Sequence, residues 1–89
     1  MRKTGSLACK YINRYFAQED ELLEKIHQSL EEASVNGMSI DAYEGKLLQV
    51  LIKMNQVKKV VEVGTLFGYS AVWMARALPS DGKLISIEF

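Results

Sequence analysis

Apolar positions along the first third of the chain recur at the spacing of a helix. From about Tyr11 to Ala33, the residues Leu22, Leu23, Ile26, Leu30 and Ala33 fall three to four apart, with acids on the other face. That periodicity predicts one helix, closed at Asn36-Gly37, two residues that tolerate the left-handed backbone. A second helix is predicted from Asp41, whose side chain can cap the first turn while Glu44 returns to the cap's own N–H. Tyr43, Leu47, Val50, Leu51 and Met54 then form one apolar stripe, the kind that faces a core.

Beyond this helix the pattern changes. Lys58 to Val63 reads as a strand, and Val60, Val61 and Val63 make it apolar on both faces, as in a parallel sheet covered by helices. Ser70 to Leu78 is helical again, with Val72, Trp73, Met74, Ala75 and Leu78 supplying bulk. Pro79-Ser80-Asp81-Gly82 is a turn on composition, and Lys83 to Glu88 is a second strand. The order α-α-β-α-β predicts an α/β architecture: N-terminal helices, then the first β-α-β unit of a Rossmann-like fold, incomplete, with a right-handed crossover. Residues 1–37 form the helical segment and residues 38–89 the start of a ligand-binding domain, with no repeat, linker or low-complexity stretch between them.

Composition narrows the class. With 89 residues, 48% hydrophobic and 25% charged, this is at most one globular domain. The net charge is zero but unevenly spread: Arg2, Lys3, Lys10 and Arg14 precede any acid, and Glu19, Asp20, Glu21, Glu24, Glu31 and Glu32 then face Lys25 alone. A basic start with Tyr11 and Tyr15 interleaved is compatible with an RNA-binding arm, but it reads better as a solvated helix face, so no nucleic-acid partner is expected. Cys9 is the single cysteine, which excludes an intrachain disulfide. No apolar run approaches membrane-spanning length and the N-terminus lacks a signal peptide's apolar stretch, so a cytoplasmic protein with no membrane partner is expected. His27, among polar neighbours, is expected at the surface.

The chemistry concentrates where the first strand ends. The β-branched run stops at Gly64, Gly68 follows, and a helix begins, so backbone N–H groups and a helix N-terminus converge on one point. Gly64 would let the backbone approach a ligand, and Gly68 would let the helix start close against the strand. Glu62 is an acid in an apolar strand, costly unless paired, and a cationic group of a ligand would suit it. Thr65 and Ser70 offer hydroxyls beside the turn. Glu88 ends the second strand, where a nucleoside-binding unit grips ribose hydroxyls. A dinucleotide site wants G-x-G-x-x-G, whereas this turn has G-x-x-x-G with Leu66 at the middle position, which blocks a pyrophosphate. S-adenosyl-L-methionine has no phosphate and presents an ammonium, so it fits better.

Glu62-Val63-Gly64-Thr65, Gly68-Tyr69-Ser70, Ala77-Leu78-Pro79-Ser80-Asp81-Gly82-Lys83 and Ile87-Glu88 together resemble the caffeoyl-CoA O-methyltransferase-like family, O-methyltransferase family 3. Met38 to Leu48 is similar to that family's segment before the first strand, and the N-terminal helix matches only loosely. The resemblance implies a class I methyltransferase fold and methyl transfer to a hydroxyl of a small molecule. By it, Glu62 would hold the methionine amino group, and Gly64 and Thr65 would give backbone contacts. Ser70 would bind the carboxylate end, Glu88 the ribose, and Met38 and Ile40 would line the cofactor. A divalent metal is also implied. Its ligands, the catalytic residues and the acceptor pocket are expected beyond Phe89, so the 89-residue chain is expected to be inactive alone. The alternatives are a non-catalytic truncated fragment or assembly module and, further off, a dinucleotide-binding oxidoreductase fragment. An unpaired edge on the Val60–Val63 strand, and the family's habit of dimerising, lead us to expect a homo-oligomer.

Overall fold

A computed structural model of the chain describes residues 6–64 and 66–88. The region predicted as one helix is two: α1, Leu7–Phe16, and α2, Glu21–Glu32. Ser6 caps α1 by accepting from the Cys9 N–H at 3.0 Å. The backbone leaves the helical region at Ala17, whose side chain is buried, and Asp20 starts afresh by accepting from the Leu23 N–H at 3.1 Å. Glu21 and Glu24 in the first turn of α2 suit its positive end. A cap inside a periodic stretch thus overrides the apparent continuity. α2 also ends before Asn36-Gly37: Ser34 takes the left-handed conformation at φ 58°. The N–H of Val35 then donates to the Leu30 carbonyl at 3.0 Å, which closes the helix. Residues 36–38 form a single 3-10 turn.

Helix α3, Ala42–Met54, starts with the predicted capping box: the Asp41 N–H donates to Glu44 Oε1 at 2.8 Å. Its apolar stripe, however, faces outward. Leu47, Val50, Leu51 and Met54 are exposed, while Ala42, Gly45 and Ile52 are buried and Leu48 packs beside them. The reason is close approach at Gly45, where a Cβ would sit 2.5 Å from Trp73 Cδ1. The flattest side of the helix goes inward, and the most hydrophobic side does not. Tyr43 is half-buried, and a hydrogen bond with the Cys9 thiol of α1 raises its phenol above the usual value.

Strands β1, Lys59–Val63, and β2, Lys83–Ile87, pair in parallel, Lys59 opposite Lys83 and Val63 opposite Ile87, with α4, Tyr69–Ala75, crossing between them. Strand alternation splits the sheet into two unlike faces. Val60 and Leu84 turn towards the helices and pack with Ile52, Met74 and Ala77. Val61, Val63, Ile85 and Ile87 point the other way and are exposed, Val63 at 65%. Among the described residues only one face of this doubly apolar sheet is covered, because α3 and α4 lie on the same side. Helix α4 is also shorter than predicted; the N–H groups of Ala77 and Leu78 reach back three residues to Met74 and Ala75 and tighten its end.

α4 is the centre of the core. Tyr69 and Trp73 pack with Ala17, Leu23, Leu30 and Ala42, and Met74 and Ala77 pack with Ile52 over the sheet. Since burying such side chains contributes about 1.5–3 kcal/mol each, the helix that follows the glycine turn is fixed from two sides.

Candidate functional site

Three described residues of the turn after β1 take the left-handed backbone. Gly64 has φ 82° and Gly68 φ 81°, values that only glycine adopts readily. A Cβ at either position would meet nothing within 4 Å, so conformation, not crowding, selects glycine here. The expectation that Gly68 draws the helix against the strand is therefore replaced by a backbone requirement. Leu66 shares the left-handed region at φ 55°. The Gly64 N–H donates to the Ile87 carbonyl at 2.6 Å, carrying the strand ladder into the turn. Thr65 lies outside the described residues.

A cleft of about 330 Å3 opens at the strand tips, lined by Met38, Val63, Gly64, Leu66 and Glu88. It gathers three sequence-predicted residues from three elements: Met38 from the turn before α3, Gly64 after β1, and Glu88 after β2. Val63 was not anticipated as a wall, whereas Leu66 lines the cleft at the turn position where the sequence set it against a pyrophosphate.

The other candidates stand apart from that wall. Ile40 packs against the buried cluster around Tyr69 and Trp73. Glu62 and Ser70 meet each other: Ser70 Oγ donates to Glu62 Oε2 at 3.0 Å, and Ser86 Oγ donates to Oε1 at 2.7 Å. Glu62 lies on the helix-facing side of β1, and these hydroxyls meet part of the cost of its burial. A carboxylate has about four acceptor sites, so two serines leave it able to receive a further donor.

The linker between α1 and α2 is tied to α4 from both ends of that helix. Tyr69 donates its hydroxyl to Glu19, and Asp20 Oδ2 lies 2.7 Å from Arg76 Nη2. The Leu23 N–H and then the Arg76 guanidinium hold the Asp20 carboxyl below the usual carboxylate range. His27 is half-buried, 3.3 Å from Glu19 and 2.9 Å from Glu31, and not the surface residue expected. A larger cleft, about 570 Å3, runs beside α1 with charges of both signs, among them Lys10, Arg14, Glu24 and Asp41, and contains none of the predicted site residues. Among the described residues no cluster of His, Cys, Asp and Glu could hold a metal, and no helix is long and apolar enough to cross a membrane.

A family model described as O-methyltransferase matches residues 13–89. The chain belongs to the O-methyltransferase family. Among curated members, a catechol O-methyltransferase of Niastella koreensis is 44% identical over 79 residues, which are 89% of this chain and 36% of that protein. A caffeoyl-CoA O-methyltransferase of Populus kitakamiensis is 34% identical over 80 residues, 88% of this chain and 34% of its own. The chain thus spans about a third of the length of the O-methyltransferases it matches. Among solved structures, the O-methyltransferase TomG of Streptomyces achromogenes, in complex with SAM, superposes with a TM-score of 0.80 at 39% identity, over 86% of this chain and 34% of that one. An O-methyltransferase of Bacillus cereus, in complex with SAH, gives 0.80 at 32% identity, over 89% and 36%. The α/β architecture is therefore that of an O-methyltransferase, and the resemblance in the sequence is to the right family.

Proposed function

We propose that this chain forms the S-adenosylmethionine-binding part of an O-methyltransferase acting on a hydroxyl of a small molecule. The observation that carries this reading is the cleft at the strand tips, where the Gly64 turn and the Glu88 carboxylate face one space. The cleft suits a phosphate-free nucleoside ligand on two counts. Among the described residues its walls are apolar apart from an acid placed to accept from ribose hydroxyls, and no cation lines it. When bound, the cofactor would supply an electrophilic methyl group. The chain's own residues would hold it: Glu88 by the ribose, Gly64 and Thr65 through the backbone, Met38 along one wall. Glu62 would accept from the methionine amino group while Ser86 and Ser70 fix its orientation; Ser70 reaches a ligand carboxylate only by giving up that bond. A divalent metal that orients the acceptor, and assembly into a homo-oligomer, belong to this reading through the family; no described residue is assigned to the metal.

Glu88→Ala is the direct test. In a version that completes the fold, losing hydrogen bonds to a charged group should weaken S-adenosylmethionine binding by about 1.5–3 kcal/mol, measured by equilibrium dialysis against the same version with Glu88 intact. Equal affinity in the variant would remove the ribose assignment.

A further inference from the structure

We propose that α1 is a membrane-surface contact, its aromatic face lying in the interface of an anionic lipid bilayer with Lys10 and Arg14 at the headgroups. Leu7, Tyr11 and Tyr15 recur every four residues along one side of the helix, with Ile12 and Phe16 beside them. All of these are exposed, Leu7 at 84%, and no residue of α1 is buried. The helix is held to the protein by its other side. There half-buried Asn13 lies 3.5 Å from Asp41, and the Cys9 thiol meets Tyr43. The Tyr11 and Tyr15 rings stand 4.9 Å apart, and the Arg14 guanidinium sits 5.5 Å from the Tyr15 ring centre, so aromatic and basic groups form one patch.

Charge selects the occupant. Lys10 and Arg14 are the only charged residues between Ser6 and Gln18, and both are positive. The first acids, Glu19 and Asp20, are turned onto α4 by Tyr69 and Arg76, and Glu21 pairs with Lys25. A second copy docked helix against helix would set these cations against their own counterparts, with no acid in either helix, which like-charge repulsion opposes. An anionic bilayer meets the same pattern favourably. Aromatic rings settle at the headgroup boundary, and long basic side chains lift their charges to the phosphates. Each cation there strengthens partition about fivefold. The expectation of no membrane partner rested on the lack of a spanning run, and a helix that lies in the interface needs none.

The test is co-sedimentation of the 89-residue chain with vesicles of phosphatidylcholine alone and of a roughly two-to-one mixture with phosphatidylserine. Amide hydrogen exchange locates the contact. The chain should bind the mixed vesicles about tenfold more tightly, salt should release it, and exchange should slow across residues 7–16. Lys10→Gln combined with Arg14→Gln should remove the preference for the mixed vesicles. Glutamine keeps the helix propensity of the residues it replaces, so that loss is not a loss of α1. Tyr11→Ser combined with Tyr15→Ser should weaken binding to both kinds of vesicle. Equal binding to both by the unaltered chain, or protection in the strands in place of α1, overturns the proposal. So does an associated chain whose α1 amides are already protected before lipid is added, which would assign this face to a second copy.

Discussion

Glu62 brings a charge into a strand of valines, and two serine hydroxyls from different elements receive it. Ser86 stands directly across the ladder from it, while Ser70 comes from the crossover helix. Glu62→Gln keeps the shape and one acceptor oxygen, and serine hydroxyls can turn to suit an amide. The fold should therefore lose only about 1 kcal/mol, read by urea denaturation, while S-adenosylmethionine affinity falls further if Glu62 holds the amino group as proposed. Unfolding of this variant with normal residual affinity would make Glu62 a structural group. Single residues divide by how local their signal is. The acid at the tip of the second strand and the glycine turn could be read from the sequence, because both need only neighbours in the chain. The bond from Ser86 to Glu62 depends on strand register, and that of Tyr69 to Glu19 on a long-range closure, so neither could be read.

At the level of elements, α3 shows both the strength and the limit of sequence patterning. Its capping box lies within one turn, and the structure has it as read from Asp41 and Glu44. Its buried face depends on a partner, and Trp73 selects the side that carries Gly45. Gly45→Ala would press a Cβ into the Trp73 indole. A modest gain in helix propensity does not offset an overpacked contact, so a net destabilisation of about 1–3 kcal/mol is expected. Chemical denaturation followed by the fluorescence of Trp73, the single tryptophan, would measure it; unchanged stability would mean that the indole moves aside at little cost. The break between α1 and α2 escaped the periodicity because Leu7, Tyr11, Ile12, Tyr15 and Phe16 carry a helical repeat of their own, which runs on into that of Leu22 to Ala33. Asp20 followed by Glu21 and Glu24 was the available sign of a fresh start.

For the whole molecule, the uncovered sheet face matters most. Val61, Val63, Ile85 and Ile87 form a contiguous apolar surface, and exposed Leu47, Val50, Leu51 and Met54 add another on α3. Two parallel strands with one bare face, and no third strand among the described residues, are marginal in water, and open apolar edges recruit other chains. The 89-residue chain is therefore expected to self-associate or to remain only partly folded. Sedimentation with amide hydrogen exchange tests this: a compact monomer with strongly protected amides in both strands would contradict it. The bond between Tyr69 and Glu19 spans 50 positions of sequence, and Asp20 with Arg76 repeats the tie. Residues 38–88 are therefore poorly suited to transfer into a recipient protein as an interchangeable cassette. The recipient would inherit a phenol aimed inward with no carboxylate to meet it, so the N-terminal helices and the glycine turn have to be inherited together.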